Sequence, residues 1–590
     1  MYLRVLACDL DGTLAEDGSI ATETWELLHE VKKRGFTLIL VTGRTLNSFG
    51  ASGPFAELFE AIVSEDGATI YYPRNDSVIL PFGRISTDII ARLEELNIPF
   101  ERGMAIAATR VPHDETVLDI LRESGGGATV EYNKGAVMIL PPGATKGTGL
   151  QAVLHELGYS KHNVIACGDA ENDRSLFELV EMAVAVANAT SEIKKLSDLI
   201  LPHQDGEGVQ VLLKHLLDGK LPEHRRRPER RLVLGEEEEG VPVHMDPIEL
   251  LNGNLGIVGA SASGKSWLAG LLSEELLSNG YQICIIDPEG DYRGLHAFPH
   301  TLLLGGTDSS LPPAGDVVTI MEYTNISLVI DLSTYETEKR ESYVGELLHG
   351  LGNLRARRGR PHWFLMDEVH NFCPAEGGSL TELILKSMGS GGFGIVSYQL
   401  SRVAPELLKK LDQWIITRLT DKDDLLSLRK NLSTPICESM DWTQLSRQPV
   451  GKAYFCKNHM LQSDEVRNRL IEFEVARRVV PHVRHLHKYL RAPLPMSKRF
   501  YFHLDVDSKA PRTVASLWEF KEALNELSIS TLRYHLKRED FERWLRDVLH
   551  DKELARRIRK LSHRPLDDKA LREAMIATVA DRYEELESLI

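Results

Sequence analysis

The sequence is poor in cysteine and aromatic residues and has no long apolar run. Its six cysteines, at 8, 167, 284, 373, 437 and 456 of 590 residues, include no CxxC pair. That spacing argues against a zinc ribbon or a disulfide framework, and in apolar, strand-like runs a thiol is simply a small hydrophobe. No segment approaches the ~18–20 apolar residues of a membrane span. The opening MYLRVLACDLDGT is too short an apolar run for a signal peptide and ends in acids. The expectation is a soluble, reducing, cytoplasmic protein with no membrane partner. Positive charge is also in deficit. The 69 Lys+Arg against 86 Asp+Glu leave a formal charge of −17, which excludes a protein coated in nucleic acid but not a local basic channel.

What is present is ordinary globular material, 43% hydrophobic and 26% charged. At about 100–200 residues per domain the length predicts about three to five domains. LRVLAC, the helical TWELLHEVKKRG closed by Gly35, and FTLILV set a strand–helix–strand rhythm that recurs at 163–167 and 183–186. This rhythm predicts a parallel sheet covered by helices. Residues 219–250 carry RRRPERR (225–231), then Glu236–Glu239, among several prolines. Opposed charge blocks with prolines read as a solvated linker and a strand-rich lead-in, with a nucleic-acid arm at the arginines as the alternative. A second rhythm starts at Leu255 with LGIV, QICIID, SLVIDL, WFLMDE, GIVSYQ and WIITRL as strands. Beyond about residue 460 the texture turns helical and basic, with one strand-like run, RFYFHL.

The first chemical constellation is Asp9-Leu10-Asp11-Gly12-Thr13, directly after an apolar strand. Ligands of open parallel sheets bind beyond the C-terminal strand ends. Two carboxylates there can divide attack on phosphorus from proton handling. FTLILV ends in Thr42-Gly43-Arg44, VIAC ends in Gly168-Asp169-Ala170-Glu171-Asn172-Asp173, and Lys146 opens a helix between them. Phosphoryl transfer needs such parts: a nucleophile, in-line positioning, and cations against the equatorial oxygens.

DLDGTL, VTGR, the lysine of GATKG and GDAENDRSLFE resemble the haloacid dehalogenase-like phosphatases, in particular the Cof-type subfamily IIB, over about residues 1–215. The resemblance implies Asp9 as a nucleophile forming an aspartyl-phosphate and Asp11 as general acid and base. It implies Thr42 and Lys146 as phosphoryl ligands. Mg²⁺ would be held by Asp9, the Asp11 carbonyl and Asp169, with Asn172 and Asp173 in support. Residues 83–140 would be a small cap that selects a small phosphomonoester such as a sugar phosphate or phosphoglycolate, with Gly125-Gly126-Gly127 as a turn. One departure is Ser64-Glu65-Asp66-Gly67-Ala68, where the family pattern has Asn before the Gly.

The second constellation, Gly259 to Ser266 (GASASGKS), fits GxxxxGK[ST] between a strand and a helix. Gly259, Ser261, Ser263 and Gly264 would cradle the phosphates of ATP, Lys265 would reach the β/γ oxygens and Ser266 would ligate Mg²⁺. For the partner acids, Asp331 and Asp367-Glu368 compete. Asp367 is preferred for the metal shell, Glu368 for polarising water, and Gln399 for sensing the γ-phosphate. IIDPEGDY, LMDEVHNF, FGIVSYQLSRVAPELL and LSRQPVGKAYF resemble HerA/FtsK-class ATPases, closest to HerA, over about residues 230–475. The resemblance implies a RecA-like core, a homo-oligomeric, hexameric ring with ATP between subunits, and DNA passing through the ring channel. Two departures are the arginine-free Gly389-Ser390-Gly391-Gly392, which leaves Arg402 and Arg418 as finger candidates, and the loss of the usual N-terminal barrel.

In the tail, His482, His485 and His487 lack the further ligands of a metal site, and Trp518, Phe520, Phe541 and Trp544 read as core. The expected architecture is α/β: a Rossmann-like phosphatase core over residues 1–218 with a small α+β cap at about 83–140, the lead-in at 219–250, a RecA-like ATPase at 251–480, and a mainly helical domain at 481–590. The expected function is a bifunctional Mg²⁺-dependent phosphomonoesterase and ATPase. The alternatives are a DNA translocase whose phosphatase acts on nucleic-acid ends or nucleotides, and a nucleotide-sensing scaffold.

Overall fold

The computed structural model describes residues 1–590 except 17, 47, 49–52, 126, 134, 307–309, 324, 459–469, 481–489, 491–493, 495–497, 504–508, 550, 563 and 588–590. The three tail histidines and the middle glycine of the 125–127 turn lie outside the described residues.

The N-terminal half is built on a sheet of Leu199–Ile200, Met182–Ala185, Val164–Gly168, Val5–Asp9, Thr37–Val41, Ala61–Ser64, Thr69–Tyr72 and Ser77–Ile79, in that spatial order. The strand carrying Asp9 is central and runs parallel to both neighbours, with Cys8 opposite Cys167 on one side and Leu40 on the other. Because the three strands run in one direction and in register, Asp9, Thr42 and Asp169 leave the sheet at the same edge. The strands are continuous Val, Ile, Leu and Ala runs, buried on both faces as parallel strands between helices must be. The cap is a separate antiparallel sheet, Glu101–Arg102, Ala107–Arg110, Ala136–Leu140 and Thr129–Asn133, backed by helices Thr87–Glu95 and Asp114–Glu123.

The ATPase sheet places the loop-bearing strand Asn254–Val258 between Gln413–Ile416 and Phe393–Ser397. Beyond Phe393–Ser397 come Trp363–Met366, Ile283–Asp287, Ser327–Asp331 and Thr301–Gly305, all parallel. The last of these is an edge strand whose short TLLLG run has no alternation to betray it. On the other edge Lys452–Lys457, Ile471–Val475, Leu232–Glu236 and Pro242–Met245 continue the sheet antiparallel. Gly391 and Gly392 explain the arginine-free segment before Phe393. A Cβ at Gly391 would stand 2.0 Å from Asn252 O, and one at Gly392 would stand 2.0 Å from the Arg355 guanidinium. Arg355, buried, fills that space and donates to Leu251 O at 3.0 Å and His362 O at 2.7 Å.

Part of the solvated linker expected at 219–250, its arginine run, is instead packed against the N-terminal half. Arg226 is 3% exposed. It pairs with Glu181 at 2.7 Å and Asp198 at 3.5 Å, and also donates to Glu181 O. Arg230 donates to Val180 O at 2.7 Å and Phe177 O at 2.8 Å. A run of arginines looks solvated in isolation, but these find buried carboxylates and helix-end carbonyls of the phosphatase. Glu181 is the hub of a joint between the two halves. It also takes bonds from His162 Nδ1 at 2.6 Å and from the Tyr281 hydroxyl at 2.9 Å. His162 stacks on Tyr281 with ring centroids 3.8 Å apart, and its Nε2 meets Asn279 O at 3.0 Å. Asn163 donates to Tyr2 O and Gly359 O, and Arg360 to Gly158 O at 2.9 Å. One apolar core runs across this joint, from the phosphatase strands into Leu255, Ile257 and Leu272.

The C-terminal part packs helices 517–587 against the two-stranded sheet Phe500–His503 and Lys509–Val514. Phe520, Phe541 and Trp544 are in its core, as the aromatic spacing suggested, but Trp518 is 46% exposed.

Candidate functional site

The phosphatase centre is a buried knot of charge at the shared sheet edge. Lys146 Nζ lies 2.7 Å from Asp9 Oδ1 and 2.6 Å from Asp173 Oδ1. Asp173 Oδ2 accepts from the backbone N–H of Asp169 at 2.8 Å and Ala170 at 3.0 Å, which fixes the 169–173 turn. Thr42 is buried, and its Oγ1 accepts from Arg44 N at 3.2 Å. Asp11 stands apart from this knot. Its carboxylate is held bidentately by Arg44, at 2.7 Å from Nε and 2.5 Å from a terminal nitrogen. Burial, together with Asp173 and Asp169, outweighs Lys146 and pushes Asp9 up to about 8. Burial opposes charge on Lys146, but Asp173 and Asp9 overcome it and hold the ammonium well above its ordinary range. One donor atom from each of Asp9, Asp169 and Asp173 lies within 4.8 Å of the others, all three residues buried. Oxygen donors with a surplus of negative charge over the one lysine fit a hard divalent cation such as Mg²⁺.

The SEDGA segment is more than a departure from pattern. Gly67 has φ +97°, and a Cβ there would stand 1.9 Å from Thr145 O, so the loop presses onto the start of the Lys146 helix. Asp66 Oδ1 accepts from Asn172 Nδ2 at 2.9 Å, while its buried Oδ2 has no partner among the described residues. Burial raises Asp66. A protonated carboxyl offers one acceptor and one donor, as an asparagine amide does. Glu65 accepts from Met104 N and Ala105 N of the cap, each at 2.8 Å, and so straps the cap to the core.

Sequence reasoning missed Glu65 and also Glu131. In the cap sheet Glu131 pairs with Met138 and Val130 with Ile139. Met138 packs with Ala68 and Ala144 of the core side, whereas Ile139 packs with the cap helices. Side chains alternate along a strand and cross-strand partners share a face. Glu131 therefore lies on the cap face turned to the catalytic core. Burial, with Asp66 and Asp173 adding to it, pushes its carboxyl up to about 7. A central Glu in TVEYN gave no local signal of this role.

In the ATP site Lys265 and Ser266 open the helix Lys265–Ser278. Gly259, Ser261, Ser263 and Gly264 form the preceding loop, with Ser261 exposed and Ser263 Oγ 2.5 Å from Thr417 Oγ1. Lys265 Nζ donates to Ala260 O of its own loop at 2.9 Å and sits 5.7 Å from the Tyr398 ring. Asp367 and Glu368 follow Trp363–Met366, one strand removed from the loop-bearing strand, and Gln399 follows the strand between them. Burial and the neighbouring acids raise Asp367, and burial pushes Glu368 up to about 7. Asp331 is instead paired with Arg293 at 2.6 Å.

With this geometry in view, the comparisons with known proteins are direct. A haloacid dehalogenase-like hydrolase model matches residues 6–106 and 109–213, and the N-terminal part of the chain belongs to that family. A model of the central domain of the helicase HerA matches residues 232–348, and a family of unknown function matches 481–580. The chain is thus a phosphatase of the haloacid dehalogenase class joined to a HerA-like P-loop ATPase.

Among the relatives, phosphoglycolate phosphatase 2 of Saccharolobus solfataricus is 31% identical over 221 residues, covering 36% of this chain and 93% of that protein. The phosphoglycolate phosphatase of Methanothermobacter thermautotrophicus is 29% identical over 36% of this chain and 99% of its own. A solved haloacid dehalogenase-like hydrolase from Bacteroides thetaiotaomicron is 19% identical over 36% of this chain and 99% of that chain, with a TM-score of 0.32. Among the described residues no helix is long and apolar enough to cross a membrane.

Proposed function

We propose that the N-terminal half hydrolyses a small phosphomonoester through an aspartyl-phosphate on Asp9, and that the ATPase half hydrolyses ATP with Glu368 polarising the water. The observation that carries the first reading is Lys146, held buried between Asp9 and Asp173. An Asp9 oxygen attacks phosphorus, the ester P–O bond breaks, and Asp11 protonates the departing alcohol oxygen. Asp11 then takes a proton from water, whose oxygen attacks phosphorus and releases phosphate and free Asp9. Thr42 and Lys146 orient the phosphoryl oxygens. Asp9, the Asp11 carbonyl and Asp169 would hold Mg²⁺, which supplies positive charge against those oxygens. Arg44 holds the Asp11 carboxyl in position for these transfers. The named activity of the relatives supports 2-phosphoglycolate or a similarly small phosphate ester as substrate.

In the ATPase half, Ser266 and Asp367 would hold the nucleotide's Mg²⁺, Lys265 would bind the β/γ oxygens and Gln399 would sense the γ-phosphate. The HerA likeness supports a homo-oligomeric ring. The test is a reciprocal pair. Asp9→Asn abolishes phosphate release from 2-phosphoglycolate and p-nitrophenyl phosphate while sparing ATP hydrolysis. Glu368→Gln does the reverse, lowering ATP turnover by about 10²–10⁴-fold. Undiminished phosphatase turnover in Asp9→Asn sinks the first assignment, and undiminished ATP turnover in Glu368→Gln sinks the second.

A further inference from the structure

The C-terminal part holds a cavity of about 410 Å³ that the catalytic readings leave unused. It opens where the strand Phe500–His503 meets the end of helix Ile529–Lys537 and the start of helix Asp540–Asp547. Among the described residues its wall carries Arg499, Arg538 and Arg543 against a single carboxylate, Asp540, together with Tyr501 and Tyr534.

Asp540 is fully engaged. It accepts from His535 Nδ1 at 2.9 Å, Arg538 Nε at 3.2 Å and Arg543 at 2.5 Å. The other nitrogen of His535 accepts from His503 N at 2.8 Å, which places the ring proton on Nδ1 and leaves the imidazole neutral. Burial favours the same neutral state. Two guanidiniums thus share one acid and Arg499 stands beside them, so among the described residues the wall keeps an excess of positive charge. Arg499 has its Nε on Leu494 O at 3.1 Å, and its terminal nitrogens have no partner among the described residues. Arg538 lies 5.2 Å from the centroid of the Tyr534 ring, and Tyr501 is 40% exposed.

Guanidinium forks recognise phosphate, and tyrosine faces stack on planar rings. A simple carboxylate would satisfy the arginines, but the 40% exposed Tyr501 beside them adds a surface suited to a planar base. The volume suits one nucleotide.

The neighbouring residue points elsewhere. Lys498 reaches the ATPase, with Nζ 3.7 Å from Glu289. Glu289 follows the strand Ile283–Asp287 and is fixed by its backbone N–H on Asp287 at 3.1 Å. Lys498 and Lys265 are the two cations that offset burial and nearby acids at Glu368. Consecutive residues therefore serve the cavity and the ATP site.

We propose that this cavity binds a nucleotide unit, its phosphate on Arg499 and Arg543 and its base beside Tyr501, and that Lys498 conveys occupancy to the ATP site. The second half rests on the ATPase reading, but the first does not. The ligand's source is either a free mononucleotide or one residue of a single strand.

Binding is measured on the full chain carrying Lys265→Ala, which removes the P-loop as a competing site. The probes are a fluorescein-labelled strand of about twelve thymidines and unlabelled thymidine 5′-monophosphate. Anisotropy should rise with the strand, and adding Arg499→Ala with Arg543→Ala should weaken binding by about tenfold or more. Competition by the mononucleotide assigns the free source, and strand binding without such competition assigns the polymer. An unchanged far-UV circular dichroism spectrum and melt of the full chain show that the variant is folded, and Arg543→Glu alone, at an exposed position, must also weaken binding. If neither probe binds, or if the arginine variants bind as tightly, the cavity assignment is overturned. With Lys265 restored, the bound probe should change the rate of ATP hydrolysis, and Lys498→Ala should abolish that change with probe affinity intact. An unchanged response in Lys498→Ala overturns the coupling.

Discussion

The two phosphoryl-transfer centres of this chain hold their lysines in opposite ways. Lys146 is clamped between two carboxylates within the buried acid cluster. Lys265 leans on a carbonyl of its own loop, and burial lowers its hold on a proton. Its acids, Asp367 and Glu368, are raised, as Asp9 is, but the lysine bonds its own loop. The phosphatase lysine is thus already paired with its acids, whereas the P-loop lysine rests on its own backbone. A preorganised charge needs no rearrangement at the moment of reaction.

The sharpest way to break this comparison is to remove each lysine. In chelator-treated protein Lys146→Ala leaves buried acids without their counter-ion and should cost about 3–5 kcal/mol of stability. Lys265→Ala should stay within about 1 kcal/mol, because it removes one backbone hydrogen bond and relieves a buried charge. Denaturant melts of the two variants measure this, and equal losses would collapse the distinction.

A second prediction concerns the joint between the halves. Burial works against charge on Glu181, but Arg226 and the bonds from His162 and Tyr281 overcome it and hold the carboxyl well below its ordinary range. A depressed folded pKa gives stability that is present above the unfolded value of about 4.5 and lost as pH falls below it. Glu181→Gln should cost about 2–3 kcal/mol at neutral pH and flatten the loss of stability in acid. A Gln variant with the same acid profile as the parent would show that the joint is not ionic.

The smallest effect is expected at the cap. With its carboxyl raised to about 7, Glu131 is neutral below that pH and ionised above it. KM for 2-phosphoglycolate, which carries a second anion, should rise as pH passes upward through about 7. In Glu131→Gln the rise should vanish, a difference of about fivefold, or about 1 kcal/mol. A pH profile of KM that is the same in both proteins would remove Glu131 from the substrate's surroundings.

The legible parts of this molecule are those where chemistry is encoded next to a strand or helix end. Asp9-Leu10-Asp11, Thr42-Gly43-Arg44, Lys146 and 168–173 could each be placed from the residues beside them, as could GASASGKS. Glu131 could not, because its importance depends on which face of an inserted sheet looks at the core, and that is set by its register with Met138. Nor could Arg226, whose partners Glu181 and Asp198 lie 45 and 28 residues away. Charge runs carry no information on whether a distant buried acid awaits them. The edge strand Thr301–Gly305 escaped notice because a short continuous apolar run fits a strand or a buried helix equally well.

The sequence by itself determined the two chemistries, their order along the chain and the residues at each strand end, because those depend on short-range spacing and on strand direction. Only the tertiary structure decided that Arg226 is buried against Glu181 and Asp198, that phosphatase and ATPase share one core, that Asp11 rests on Arg44, and that Lys498 reaches Glu289. Each of these is a contact between residues far apart in the chain, fixed by the complementary burial of charge and apolar surface, and such complementarity exists only once both surfaces have formed.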